Sequence, residues 1–155
     1  LDEPAASVGL DGPGVAMMTA VDVAELRHHA DGGVAAWATV GVEVPQWAAA
    51  PALDWHESPT RVPGTINIVV DVPVVLSPSA LVNAVATATE AKAQAMSERG
   101  MAGTGTPTDS VTICCTDGPG PPEAYGGPRS LWGSRIARAV HGAVAQGLAL
   151  GGDRT

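Results

Sequence analysis

Between Thr87 and Ser110 the chain reads TATEAKAQAMSERGMAGTGTPTDS, a helical stretch with one carboxylate, Glu90, among uncharged polar groups and alanines, followed by a loop. Such a carboxylate is expected to be partly desolvated, which raises its pKa toward the range useful to a general base or acid. The simpler alternative is that Glu90 caps a neighbouring strand or pairs with Lys92 or an arginine. The loop GTGTPTDS, Gly103 to Ser110, carries Thr104, Thr106, Thr108 and Asp109. Its glycines let backbone approach a ligand, and its hydroxyls and main-chain N–H groups suit an anion or an amide oxygen. No Lys follows the glycines, so it is not a phosphate-binding P-loop. Ordinary turn chemistry, with Asp109 holding its own backbone, is the competing explanation.

The other reactive residue types point to less. His28, His29, His56 and His141 show no ligand spacing with a carboxylate or cysteine, so neither a metal nor another cofactor is expected. His141 lies one helical turn from Arg138, as a proton carrier or a solvated surface group. There is no G-x-S-x-G elbow of the α/β-hydrolase kind. Cys114 and Cys115 are neighbours in SVTICCT, where strand geometry sends them to opposite faces, and they are expected as buried thiols in a reducing cytoplasm. Of the four tryptophans, Trp37 and Trp132 suit a core. Trp47 and Trp55 sit in a Pro-rich loop and are candidates to line a flat apolar ligand.

These groups need a scaffold. A helix from Ser79 to Met96 has Pro78 before it and Gly100 after it. Val82, Val85, Thr89, Ala93 and Met96 fall on one face, expected to pack on the core. Asn83, Thr87, Glu90, Gln94 and Ser97 form a polar stripe offering ligand contacts. Ala84, Ala88, Ala91 and Ala95 form a third face that another part of the chain or another subunit should cover. A second long helix, Ser130 to Leu150, has the core stripe Trp132, Ile136, Val140, Val144 and Leu148; Gly142 and Gly147 within it each cost about 1 kcal/mol against Ala, which implies close packing there.

Strands are expected at Gly14 to Val21, running into a short helix at Val21 to His28 with Thr19 and Asp22 in capping-box spacing. Further strands are VAAWATVGV after the Asp31-Gly32-Gly33 turn, TINIVVDVPVVL from Thr65 to Leu76, and SVTICCT. This order predicts a single α+β domain with a mixed sheet and two long helices packed on it. The alternative is an α/β arrangement with a parallel βαβ unit from Thr65 to Thr116.

Length and charge bound the partners. The 155 residues make one domain, 1–155, and 45% hydrophobic content makes it globular. A net charge of −8 argues against nucleic acid, although Arg129, Arg135 and Arg138 could form a local basic patch. No apolar run of membrane-spanning length exists, and LDEPAAS is no signal peptide, so a cytoplasmic location is expected. The chain lacks an initiator Met, as a processed or trimmed product would.

The string PGTINIVVDVPVVLSPSALVNAVATATEAKAQAM, then GTGTPTDSVTICC and GGPRSLWGSRIARAVHGAV, closely resembles the adenosylcobinamide amidohydrolases from about Gly14 to Leu150. The resemblance implies hydrolysis of the amide joining the corrin ring's propionyl side chain to the aminopropanol arm, with adenosylcobyric acid returned to cobalamin synthesis. It also implies a missing N-terminal part of the family domain, which a second polypeptide or another subunit would supply. On that chemistry Glu90 is the base that later protonates the amine. Asn67, Asn83 and the Gly103 to Thr106 backbone would stabilise the oxyanion; Thr104, Thr106 and Asp109 would orient the amide, with Thr87 beside them. Thr108 or Ser110 would serve if a nucleophile is used. A corrinoid-binding protein without catalysis, and a hydrolase or transferase of another amide, are the competing readings.

Overall fold

Proline at 73 removes a ladder donor, so the β-branched run after Gly64 ends as a strand at Val72 and does not continue to Leu76. In a computed structural model, which describes residues 6, 7, 9, 12, 14–51 and 64–152, this strand, β3 (Thr65–Val72), is one of two inner strands of a four-stranded sheet. The others are β1 (Arg27–Asp31), β2 (Val34–Gly41) and β4 (Ser110–Cys115), in the order β1-β2-β3-β4. β1 with β2 and β2 with β3 are antiparallel, and β3 with β4 is parallel. Two long helices, α1 (Pro78–Glu98) and α2 (Leu131–Gly152), complete an α+β domain with a mixed sheet, and β3-α1-β4 is a βαβ unit inside it.

Alternation along the strands decides which face the helices cover. Val34, Ala36 and Ala38 of β2 and Ile66, Ile68, Val70 and Val72 of β3 are fully buried in one core with Ile136, Val140, Val144 and Leu148 of α2. α2 lies on β1, β2 and β3; α1 lies beside α2 and against β4. Gly142 and Gly147 let α2 approach: a Cβ at Gly147 would come within 2.7 Å of Val40 Cβ, and one at Gly142 would meet the His29 ring. Trp132 is half-buried against this core, with the Arg135 guanidinium 4.6 Å from its ring centroid. Trp37 is on the opposite sheet face, half-buried, its ring 5.1 Å from that of His28.

Three expectations are corrected. Gly14 to Val21 is not a strand: it crosses the helix-free face of the sheet, where Asn67 donates to Met18 O at 2.7 Å and Thr39 to Thr19 Oγ1 at 3.4 Å. The helix expected at Val21 to His28 is a 3-10 turn, Val23–Glu25, capped by Asp22, and Thr19 instead accepts from Val21 N. The chain then enters β1, because the Gly32-Gly33 turn offers residues 27–31 a pairing partner in β2, and sheet pairing overrides local periodicity. Cys114 is exposed and Cys115 half-buried, both as free thiols, where burial of both was expected.

The faces of α1 are also reassigned. Ser77 caps the helix, accepting from Ala80 N, Pro78 opens it, and Gly100 follows it at φ 71°. The buried face is Ala80, Ala84, Thr87, Ala88, Ala91, Lys92, Ala95 and Met96, while Val82 is 71% and Val85 40% exposed. Close approach of α2, with its own Ala139 and Ala143 buried, selects small side chains at the contact; the valines are too large for it. The alanine face is therefore covered by this chain's own α2. Among the described residues no helix is long and apolar enough to cross a membrane.

Candidate functional site

Asp109, at the entrance to β4, organises the loop that sequence singled out. Its Oδ1 accepts from Ile66 N at 2.9 Å and Thr106 Oγ1 at 2.5 Å; its Oδ2 accepts from Thr106 N at 3.1 Å and Lys92 Nζ at 2.5 Å. Strand, loop and helix thus meet at one carboxylate, with the Lys92 and Asp109 side chains only 7% and 11% exposed. Gly105 lies directly over the pair: a Cβ there would clash with the Asp109 carboxylate and come within 2.7 Å of Lys92 Nζ. The loop is fastened on its other side to the stretch after β2. Gln46 N donates to Gly105 O, Thr104 N and Gly105 N donate to Gln46 O, and Ala48 N donates to Thr104 Oγ1.

A cleft of about 840 Å³ opens between residues 44–51, the 104–109 loop and α1, a size that holds a substantial ligand. Thr89 and Ala93 form its helical wall. Positions two apart on a helix do not face each other, so Glu90 and Lys92 enter the cleft from opposite flanks of that wall. Glu90 is exposed, without the burial expected of it, and Lys92 is 6% exposed. Trp47, 58% exposed, lines the same cleft with Thr104, Thr106 and Asp109.

The remaining candidates lie elsewhere. Thr108 is exposed outside the cleft, donating to Gly64 O. Thr87 is buried and donates to Gly126 O at 2.8 Å. Asn67 lies on the helix-free sheet face, its Nδ2 on Met18 O and its Oδ1 without a partner. Ser110 opens β4 in register with Asn67. Asn83 lines a separate hollow of about 460 Å³ with Tyr125 and Arg129. Trp55 lies outside the described residues. The expected backbone oxyanion donors are already engaged: Gly103 N on Met101 O, Thr104 N and Gly105 N on Gln46 O, Thr106 N on Asp109.

The profile of the family described as adenosylcobinamide amidohydrolase matches residues 1–155. The chain belongs to this family. A curated relative from Methanosarcina mazei, itself named adenosylcobinamide amidohydrolase, is 32% identical over 160 residues, covering 97% of this chain and 74% of the relative. No solved structure matches the chain.

In this member of the adenosylcobinamide amidohydrolase family the cleft also takes in Lys92, which the sequence offered only as a partner for Glu90, and Gln46, which it did not single out. Lys92 is the only lysine, the other seven of the eight basic residues being arginines, and that singularity was the available signal. It is also the only cation lining the cleft among the described residues. Gln46 lines the cleft, its side-chain amide without a hydrogen-bond partner among the described residues, and nothing in its sequence context marks it. Among the described residues no three His, Cys, Asp or Glu side chains gather where they could hold a metal ion. The other charged contacts tie the scaffold. Arg138 donates twice to Asp31, and those hydrogen bonds hold the Asp31 carboxyl below its usual range. Gln94 and His141 do the same for Glu98.

Proposed function

We propose that this chain hydrolyses adenosylcobinamide at the amide between the corrin's propionyl side chain and the aminopropanol arm, releasing adenosylcobyric acid for cobalamin salvage. The observation that carries the reading is the family match along the whole chain. The cleft walled by Glu90 and Lys92 is its proposed site, because it gathers a carboxylate, a buried ammonium and a flat aromatic wall.

Amide hydrolysis needs an activated water, stabilisation of the oxyanion and a proton for the departing amine. Glu90 removes a proton from the attacking water as its oxygen bonds the carbonyl carbon. The ammonium of Lys92 meets the oxyanion from the opposite flank: one of its three N–H groups goes to Asp109, and with the loop N–H groups engaged the others make it the cleft's charged donor among the described residues. Asp109 positions it. The C–N bond then breaks as Glu90 returns the proton to the amine nitrogen, leaving a carboxyl group on the corrin side chain and free aminopropanol. Gln46 orients the amide, and Trp47 contacts the apolar ring. Lys92 supplies the positive charge at the carbonyl, so the mechanism uses no resident metal.

Incubation with adenosylcobinamide tests the reading through release of aminopropanol. Turnover that persists after exhaustive chelation supports it in full. A shifted corrin absorbance without release would make the protein a corrinoid binder instead, and loss of turnover restored by one divalent ion would refute the metal-free mechanism.

A further inference from the structure

The exposed face of α1 is not built like a solvent face. No Asp, Glu, Lys or Arg occurs from Val72 to Thr89, although Val82, Asn83, Val85, Ala86 and Thr89 are all exposed. A helix facing only water normally carries charge there, and exposed apolar surface bordered by polar groups marks a contact site. Val82, Ala86, Thr89 and Ala93 form one ridge at helical spacing, and its last two residues are the wall of the Lys92 cleft.

Both ends of the ridge carry an exposed aromatic side chain. Trp47 stands at the cleft end, 58% exposed. At the other end Tyr125 is 71% exposed over the hollow it shares with Asn83 and Arg129. Asn83 and Glu90 lie on the same flank of the ridge, about 10 Å apart along the axis at 1.5 Å per residue. The Asn83 amide, the Tyr125 hydroxyl and the Arg129 guanidinium make no hydrogen bond or ion pair among the described residues.

We propose that the ridge between Trp47 and Tyr125 is the bed on which the corrin ring of the substrate lies. This rests on the reading that the Lys92 cleft hydrolyses adenosylcobinamide. The ring's apolar face covers Val82, Ala86 and Thr89, and the side chain bearing the scissile amide turns into the cleft. Asn83, Tyr125 and Arg129 receive the amide groups at the ring's far edge. The uncharged ridge matches a macrocycle without ionised side chains, and its continuity with the cleft wall is what commits it to the substrate over another protein.

Val82→Arg places a charged, bulky side chain on the ridge at an exposed position, and Tyr125→Ala removes the far aromatic wall. Each is expected to raise KM for adenosylcobinamide about tenfold or more while kcat stays within about twofold. The unfolding midpoint and sedimentation mass should match the parent. If the parent turns over and both variants keep its KM, the bed is wrong and the cleft reading stands. If the parent releases no aminopropanol, the cleft reading fails and titration of corrin absorbance decides the bed: weaker adenosylcobinamide binding by Val82→Arg supports it, and equal binding overturns it. A mass halved by Val82→Arg would assign the ridge to a second copy of the chain and also overturn the proposal.

Discussion

Lys92 donates to Asp109 across 2.5 Å with both side chains almost out of water, and through Asp109 the ammonium is tied to β3 and to the 104–109 loop. A buried pair of this kind is a weak source of net stability, but removing one partner strands the other. It serves here to hold an amine at the floor of a cleft.

Asp109→Ala should therefore cost about 3–5 kcal/mol, since it leaves the Lys92 ammonium buried and unpaired and frees Ile66 N and Thr106 N. Lys92→Met combined with Asp109→Ala should cost less than the two single changes added together. Denaturant unfolding of the three variants measures this, and strict additivity would show that the pair is not coupled.

Ala88 is fully buried on the face of α1 that meets α2. Ala88→Arg should destabilise the fold by several kcal/mol, about what overfilling a close contact with an unpaired charge costs. Thermal unfolding reads it, and a change within about 0.5 kcal/mol, as on a free surface, would contradict the packing.

In a helix interior Gly→Ala ordinarily gains about 1 kcal/mol. At Gly147 the added methyl would meet Val40 on β2, so Gly147→Ala should lower the unfolding midpoint. A rise would mean that α2 rides higher on the sheet than described.

Asp31 carries a pH signature. The Arg138 hydrogen bonds lower its folded pKa below the ordinary 3.8. The pair's contribution is thus present above the unfolded pKa and is lost as pH falls through the folded one. Asp31→Asn should be less stable than the parent at neutral pH, by a small amount because the pair is largely solvated, and the two should converge below the ordinary value. A difference that grows toward acid pH would reverse the sign of the linkage.

The elements with strong local signals were legible. Ser77, Pro78 and Gly100 bracket α1, the stripe Ile136, Val140, Val144 and Leu148 marks the core side of α2, and the β-branched run locates β3. Tertiary contact decided what was not. Arg27–Asp31 became a strand because β2 is there to pair with it, and α1 turned its alanines inward because α2 comes too close for valine. The loop around Thr104, Thr106 and Asp109 was visible as a polar cluster. That its N–H groups are occupied by Gln46 and Asp109 depends on contacts some 60 residues away in one case and on a turn in the other, neither of which has a local signature. Lys92 hid in plain view, since a lone lysine on a helix ordinarily faces solvent.

Glu90 is an exposed side chain without a hydrogen bond to the fold among the described residues, so its replacement reports on chemistry more than on stability. Turnover of adenosylcobinamide by Glu90→Gln should fall about 100-fold or more in kcat, the scale of a lost general base, with the unfolding midpoint and corrinoid binding unchanged. Activity within a few-fold of the parent would contradict the assignment of this cleft as the site of hydrolysis.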